Sequence, residues 1–197
     1  MKKIVLASKS PRRKELLKKA KINFIVVESK YKEEKSEKFD KNFIKKISDC
    51  KAQDVAQSID FDAVVLSADT IVILDSVCLT KPRNENEAFF CLKKLSNRWH
   101  TVITATTVID GKQKITKTTE TKVKFRNLND DEIKNYIKDF KPFDKAGSYG
   151  IQDFVDENTV KNPPETSFIE KIEGPYDNVM GLPVETVKDM LKEINAI

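Results

Sequence analysis

The chain has 197 residues, 39% of them apolar and 34% charged, with 36 basic against 31 acidic residues for a net charge of +5. That is enough for one domain with a sizeable core, or one domain with two lobes, and no apolar run reaches membrane-spanning length, so no membrane partner is expected. The mild basic excess is spread along the chain without the aromatic-interleaved stripe of a nucleic-acid binder, and reads as a lysine-rich solvated surface.

The apolar run at the N-terminus, IVLA, is too short for a signal peptide. The cytoplasm is therefore the expected compartment, and residues 3–7 (KIVLA) read as a first strand. SKSPRRKELL follows, with Ser10 as helix N-cap and Pro11 at the first helical position, where its missing N–H is no loss. Arg12 and Arg13 then fall in the first turn, where the helix dipole disfavours cations. Such a start is either simply solvated or an anion site, in which backbone N–H groups and guanidinium forks hold the ligand. Residues 23–29 predict a second strand, and KYKEEKSEKFDK an exposed charged loop.

Phe43, Ile44, Ile47, Val55 and Ile59 have helical spacing, and Lys51 lies on the same stripe. A lysine there either snorkels or reaches into a cleft. AVVLSADTIVIL (63–74) is the most apolar stretch and reads as one or two buried strands around Asp69 and Thr70. A carboxylate in such a run is paired, metal-bound or facing a cleft, unless Asp69 merely caps a turn between two strands. Lys81-Pro82 is extended, and Asn84 with Glu87 makes a capping-box-like start to a helix burying Ala88, Phe89, Leu92 and Leu95.

WHTVITATTVI and QKITKTTETKVKF are long strand patterns joined at Asp110-Gly111, a hairpin signal. Asn129 and Glu132 repeat the capping logic ahead of Ile133, Tyr136 and Ile137. KPFDKAGSYGIQ reads as a structured functional loop, DFVDENTVKNPPETS as a polar surface excursion, SFIEKI as a strand and LPVETVKDMLKEI as a closing helix. Cys50, Cys78 and Cys91 have no CxxC spacing and His100 is the one histidine, so neither a zinc site nor a histidine-dependent nucleophile is expected. GxGxxG and GxxxxGK[ST] are absent. The expected fold is α/β, with a long mixed sheet, antiparallel at the hairpin, flanking helices and two lobes around a cleft.

Five segments, in order, resemble one family. SKSPRRKELL is similar to the opening motif of the Maf (septum formation inhibitor) nucleotide pyrophosphatases, SADTIVIL to their ADT strand end, and LTKPRNENEAFFCLKKLSNRWHTVIT to their KP-to-H.V.T block. PFDKAGSYGIQ resembles their DKAG loop and NVMGLP their closing motif, so that the likeness covers roughly residues 3–190 as a single Maf-like domain spanning 1–197. It implies an elongated fold of the inosine triphosphate pyrophosphatase type. The implied hydrolase cuts nucleoside triphosphates between the α and β phosphates, uses a divalent metal (Mg²⁺ or Mn²⁺), is commonly a homodimer and has a housecleaning role.

By the same resemblance, Ser8, Ser10, Arg12, Arg13 and Lys145 correspond to phosphate-binding positions. Asp69 corresponds to the catalytic acid/base, Lys51 and Lys81 to cleft lysines that neutralise phosphate charge, and Asp69 with Glu33 to the metal site. Arg12, Thr70 and Gln152 are those of the dTTP/UTP subgroup rather than the 7-methyl-GTP subgroup. An amide such as Gln152 can both donate to and accept from a uracil or thymine edge. Two departures stand out: Lys9 replaces a residue that is often small, and the segment after GIQ is longer than usual and lacks glycine.

Overall fold

The computed structural model describes residues 2–32 and 41–197. In chain order the elements are β1 (Lys3–Leu6), α1 (Pro11–Lys19), β2 (Ile25–Val26), α2 (Lys41–Ser58), β3 (Ala63–Leu74), β4 (Val77–Leu79), α3 (Glu85–Leu95), β5 (Trp99–Asp110), β6 (Gln113–Phe125), α4 (Asp130–Phe140), two 3₁₀ turns (Ala146–Ser148 and Ile151–Asp153), β7 (Ile169–Glu173), α5 (Tyr176–Met180) and α6 (Val184–Glu193). Among the described residues, seven strands form one mixed sheet in the order β2-β1-β3-β5-β6-β7, with β4 also paired to β3. β1 runs parallel to β2 and β3, and the other pairings are antiparallel. β3, β5 and β6 each run 12 or 13 residues, about 40 Å at the usual rise, which gives the sheet its expected length.

Strand alternation divides the core in two. Ile4, Leu6, Val64, Leu66 and Ala68 face the larger cluster, which α1, α3, α4 and α6 complete. Val5, Ala7 and Val65 face the other way, against Ala52 and Val55 of α2. The hairpin forms where Asp110-Gly111 predicts it: Asp110 pairs with Gln113, and Gly111 takes the positive φ of +56° that the turn needs.

Several local expectations are met and others corrected. The second strand contracts to Ile25–Val26, whose exposed side chains give no burial to hold a longer one. Residues 63–74 form one unbroken strand, so Asp69 caps no turn. Ser10 occupies the N-cap of α1, but its hydroxyl makes no capping bond. The box at α3 is half made: Asn84 accepts from Glu87 N–H, while the Glu87 carboxylate turns to the Arg83 backbone. The box at α4 is complete, with both Asn129–Glu132 bonds at 2.9 Å. The segment after Gln152 is no free excursion. Phe154 stacks on Tyr136 and Phe168 at 4.9 and 4.5 Å, and Val155 and Val160 are buried. Three anchors in a polar run carry no periodicity, which is why the docking escapes a pattern reading.

Candidate active site

The cleft begins as an interruption in one edge of β3. On one side β5 pairs with β3 continuously from Val64 to Ile73. On the other, β1 pairs only as far as Leu6 with Leu66, and β4 only from Val72 to Leu74. After Ala7 the chain leaves β1 for α1, and after Leu79 it leaves β4 towards Lys81. The stretch of β3 between these pairings therefore has no strand beside it on that edge, and Asp69 and Thr70 sit there. The resulting cleft has a volume of about 640 Å³, in the range of small-molecule sites. Among the described residues, seven cations line it (Lys9, Arg12, Arg13, Lys30, Lys51, Lys81, Lys145) against two carboxylates, Asp69 and Asp144. That balance suits a polyanion.

α2 supplies the central contact. Ser48 and Ser67 meet hydroxyl to hydroxyl at 3.0 Å, and Ser67 Oγ also donates to the Ser48 carbonyl at 2.5 Å. One helical turn beyond Ser48 is Lys51, and two residues beyond Ser67, on the same face of the strand, is Asp69. The two steps are of similar length, roughly 4.5 and 6.6 Å, so docking the serines brings Lys51 Nζ to 2.6 Å from Asp69 Oδ1. Both side chains are nearly buried. Lys51 thus reaches into the cleft rather than snorkelling.

Arg13 ties three segments together beneath the cleft. Its Nε donates to the Gly181 carbonyl at 2.8 Å, Nη1 to Ser8 Oγ at 3.1 Å and Nη2 to Thr70 Oγ1 at 3.2 Å. Ser8 Oγ also accepts from Ser10 N–H at 3.2 Å, which holds the loop into α1. The hydroxyl of Thr70 is shared with Thr104 of β5 at 2.9 Å. Gly181 ends α5 at φ +111°, a left-handed cap that glycine adopts without strain, and so presents its carbonyl to Arg13.

Arg12 and Lys145 meet across the rim on Asp144, at 2.7 Å to Oδ2 and 3.0 Å to Oδ1. Partial burial works to raise the Asp144 carboxyl, but the hydrogen bonds and charges of Arg12 and Lys145 outweigh it and hold the group below the usual carboxylate range. Lys81 and Gln152 complete the lining, and Lys9 joins it while pairing with Glu28 at 3.2 Å. The structure therefore brings Ser8, Ser10, Arg12, Arg13, Lys51, Asp69, Thr70, Lys81, Lys145 and Gln152 to one cleft. Glu33 lies outside the described residues.

Asp144 escapes the sequence reading although it precedes Lys145 in the DKAG motif; a carboxylate beside a candidate phosphate cation was the available signal. No cluster of three His, Cys, Asp or Glu side chains capable of holding a metal occurs among the described residues. Asp69 does supply one nearly buried carboxylate. Mg²⁺ is commonly held by one or two carboxylates, substrate phosphates and water, so this donor set fits a metal that arrives with a triphosphate.

His100 stands apart from the chemistry. It is 3% exposed, bonds through Nε2 to Tyr149 Oη at 2.8 Å and lies edge-on to Phe125. Burial pushes its pKa down to about 3, so the ring is neutral at physiological pH.

Residues 3–194 match the family model described as Maf-like protein. A dTTP/UTP pyrophosphatase of Thermosipho africanus is 49% identical over 96% of this chain and 92% of its own length. Proteins of the same name from a Thermoanaerobacter species and from Clostridium botulinum are 43% and 42% identical, over 96% and 97% of this chain and 95% and 98% of their own lengths. Among solved structures, a HAM1 protein from Coxiella burnetii covers 64% of this chain and 73% of its own at a TM-score of 0.42 and 17% identity. Among the described residues, no helix is long and apolar enough to cross a membrane.

Proposed function

This chain belongs to the Maf-like protein family, and we propose that it is a nucleoside triphosphate pyrophosphatase that hydrolyses dTTP and UTP to the monophosphate and pyrophosphate. The observation that carries the reading is the Lys51–Asp69 pair at the base of a cleft rimmed by cations. The relatives named dTTP/UTP pyrophosphatase match over nearly the full chain and support the substrate class.

In this reading Arg12, Lys81 and Lys145 bind the phosphates, with Arg12 and Lys145 exchanging Asp144 for phosphate oxygens. Ser8, Ser10 and Arg13 hold the loop that frames them. Asp69 accepts a proton from the attacking water as the water oxygen bonds to the α-phosphorus and the bond between the α-phosphorus and the oxygen bridging to the β-phosphate breaks. The electron pair of that bond leaves with pyrophosphate. Lys51 positions the Asp69 carboxylate and offsets the charge that develops on the phosphoryl oxygens. A divalent cation held by Asp69, with Glu33, would supply electrostatic stabilisation of that charge. Thr70 fixes Arg13 and the β3–β5 register beneath the base, and Gln152 reads the base edge. A cytoplasmic homodimer with a housecleaning role, without nucleic-acid or membrane partners, completes the proposal.

The test is pyrophosphate release from a panel of triphosphates with Mg²⁺ or Mn²⁺. Metal-dependent release from dTTP and UTP is expected. Preference for 7-methyl-GTP would keep the reaction and discard the base assignment. Tight binding without turnover of any nucleotide would make the protein a regulator instead.

A further inference from the structure

The amide of Gln152 is held by a chain of hydrogen bonds running away from the cleft. Its Nε2 donates to Asp153 Oδ1 at 3.1 Å, and Asp153 Oδ2 accepts the Tyr136 hydroxyl at 2.6 Å. The oxygen of that hydroxyl accepts in turn from Gly150 N–H at 3.1 Å. Tyr136 is itself fixed, 4% exposed and with its ring stacked on Phe140 and Phe154. Burial, reinforced by the Asp153 carboxylate, raises its phenol well above the usual value, so it remains a donor to Asp153. The chain turns tightly beneath the amide. A Cβ at Gly150 would lie 2.3 Å from Gln152 Nε2 and 2.9 Å from Asp153 Oδ2, so only glycine lets the pair form. Gln152 Oε1, meanwhile, is buried without a hydrogen-bond partner. An unpaired buried acceptor is unfavourable until a donor meets it.

We propose that Asp153 is a specificity-determining positioning residue: by engaging the Gln152 Nε2 donor, it fixes the sense of the amide so that the cleft selects uracil and thymine over cytosine. This rests on the dTTP/UTP reading above. Uracil and thymine carry an N–H donor at N3 beside a carbonyl acceptor. An amide offering Oε1 to N3–H and its second Nε2 hydrogen to the neighbouring carbonyl matches that edge. Cytosine carries an acceptor at N3 beside an amino donor and needs the amide reversed. Reversal brings Oε1 against the Asp153 carboxylate, two acceptors with no proton between them, so the arrangement rejects cytosine by repulsion as well as by mismatch. Asp153 opens the segment that departs from the family's usual glycine-containing stretch, and the departure thereby acquires a role.

The experiment compares kcat/KM for UTP and CTP in wild type, Asp153→Asn, Gln152→Ala and the double variant. An asparagine can donate to Oε1 and so permits the reversed amide. The UTP:CTP ratio is expected to fall about tenfold or more in Asp153→Asn, with the change carried mainly by KM and by a gain on CTP that simple loss of structure does not produce. In the Gln152→Ala background the second substitution is expected to leave the ratio unmoved. If Asp153→Asn does not fold, Tyr136→Phe, which removes only the hydroxyl restraining Asp153, is expected to lower the ratio in the same sense. An unchanged ratio in the folded variant, or equal loss on both nucleotides, overturns the proposal while leaving the dTTP/UTP activity intact. A wild-type enzyme indifferent to UTP and CTP overturns the base assignment itself, and the role of Asp153 with it.

Discussion

Removing Lys51 and Asp69 singly and together separates the structural role of the pair from its chemical one. Breaking a buried ion pair by deleting one partner costs about 3–5 kcal/mol, because the other charge is left without compensation. Here the side chains retain 12% and 13% exposure and open on a cleft that water can enter, which lowers the expected cost of Lys51→Met to about 2–3 kcal/mol. For a chain of this size that is a fall in Tm of roughly 5–10 °C. Asp69→Asn instead removes the carboxylate that faces the Lys51 ammonium and is expected to cost about 1–3 kcal/mol. In Lys51→Met/Asp69→Asn neither charge remains, so the double variant is expected to recover at least about 1 kcal/mol relative to the sum of the singles. Urea denaturation followed by the fluorescence of the single tryptophan, Trp99, reads these values. Activity follows another pattern. Asp69→Asn is expected to lower kcat about 10²–10⁴-fold, and restoring stability in the double variant does not restore turnover. Full stability in both single variants would refute the structural account. Near-normal kcat in Asp69→Asn would remove Asp69 from the role of base.

Asp144→Asn frees Arg12 and Lys145 from their carboxylate and is expected to tighten pyrophosphate inhibition about two- to fivefold, the scale of a half-exposed pair; weaker inhibition would make Asp144 part of the binding site rather than a competitor for it. Phe154→Ala removes the ring between Tyr136 and Phe168 and is expected to cost about 2–3 kcal/mol in urea denaturation, where a truly solvated segment would show no loss. For His100 the folded pKa of about 3 lies below the unfolded value near 6.5, so the neutral ring adds stability that is complete above pH 6.5 and is lost as pH falls from there towards 3, by at most about 5 kcal/mol. Denaturation at pH 7.5, 5.5 and 4.5 is expected to show a steeper acid loss for wild type than for His100→Gln, and parallel losses would refute it.

The N-terminal motif, the long hairpin strands and both asparagine caps are legible because each is a local rule: a proline after a serine, alternation around Asp-Gly, or an Asn three residues before a Glu. The position of Asp69 at the cleft was legible only as an anomaly, a carboxylate in an apolar run. What makes it a site is non-local. β1 stops at Leu6 and β4 stops at Leu79, and neither end point is visible from residues 63–74. Asp153 shows the same limit from the other side. Its sequence neighbourhood looks like loop, since its partners Tyr136 and Gly150 lie in a helix and a turn that meet only when Phe154 docks.

The site follows from that arrangement. A sheet with every β3 hydrogen bond paired would leave no room beside Asp69, whereas one unpaired stretch opens the edge without shortening the strand, because β5 supports it from Val64 to Ile73 on the other side. Asp69 thus stands on a strand held without a break along its other edge, and the cations of the cleft stand on segments entering and leaving around it. Rigidity at Asp69 and adjustability at Arg12, Lys81 and Lys145 come from the same topology. On the proposed reading, a triphosphate draws the rim cations towards its oxygens without displacing the Asp69 carboxylate.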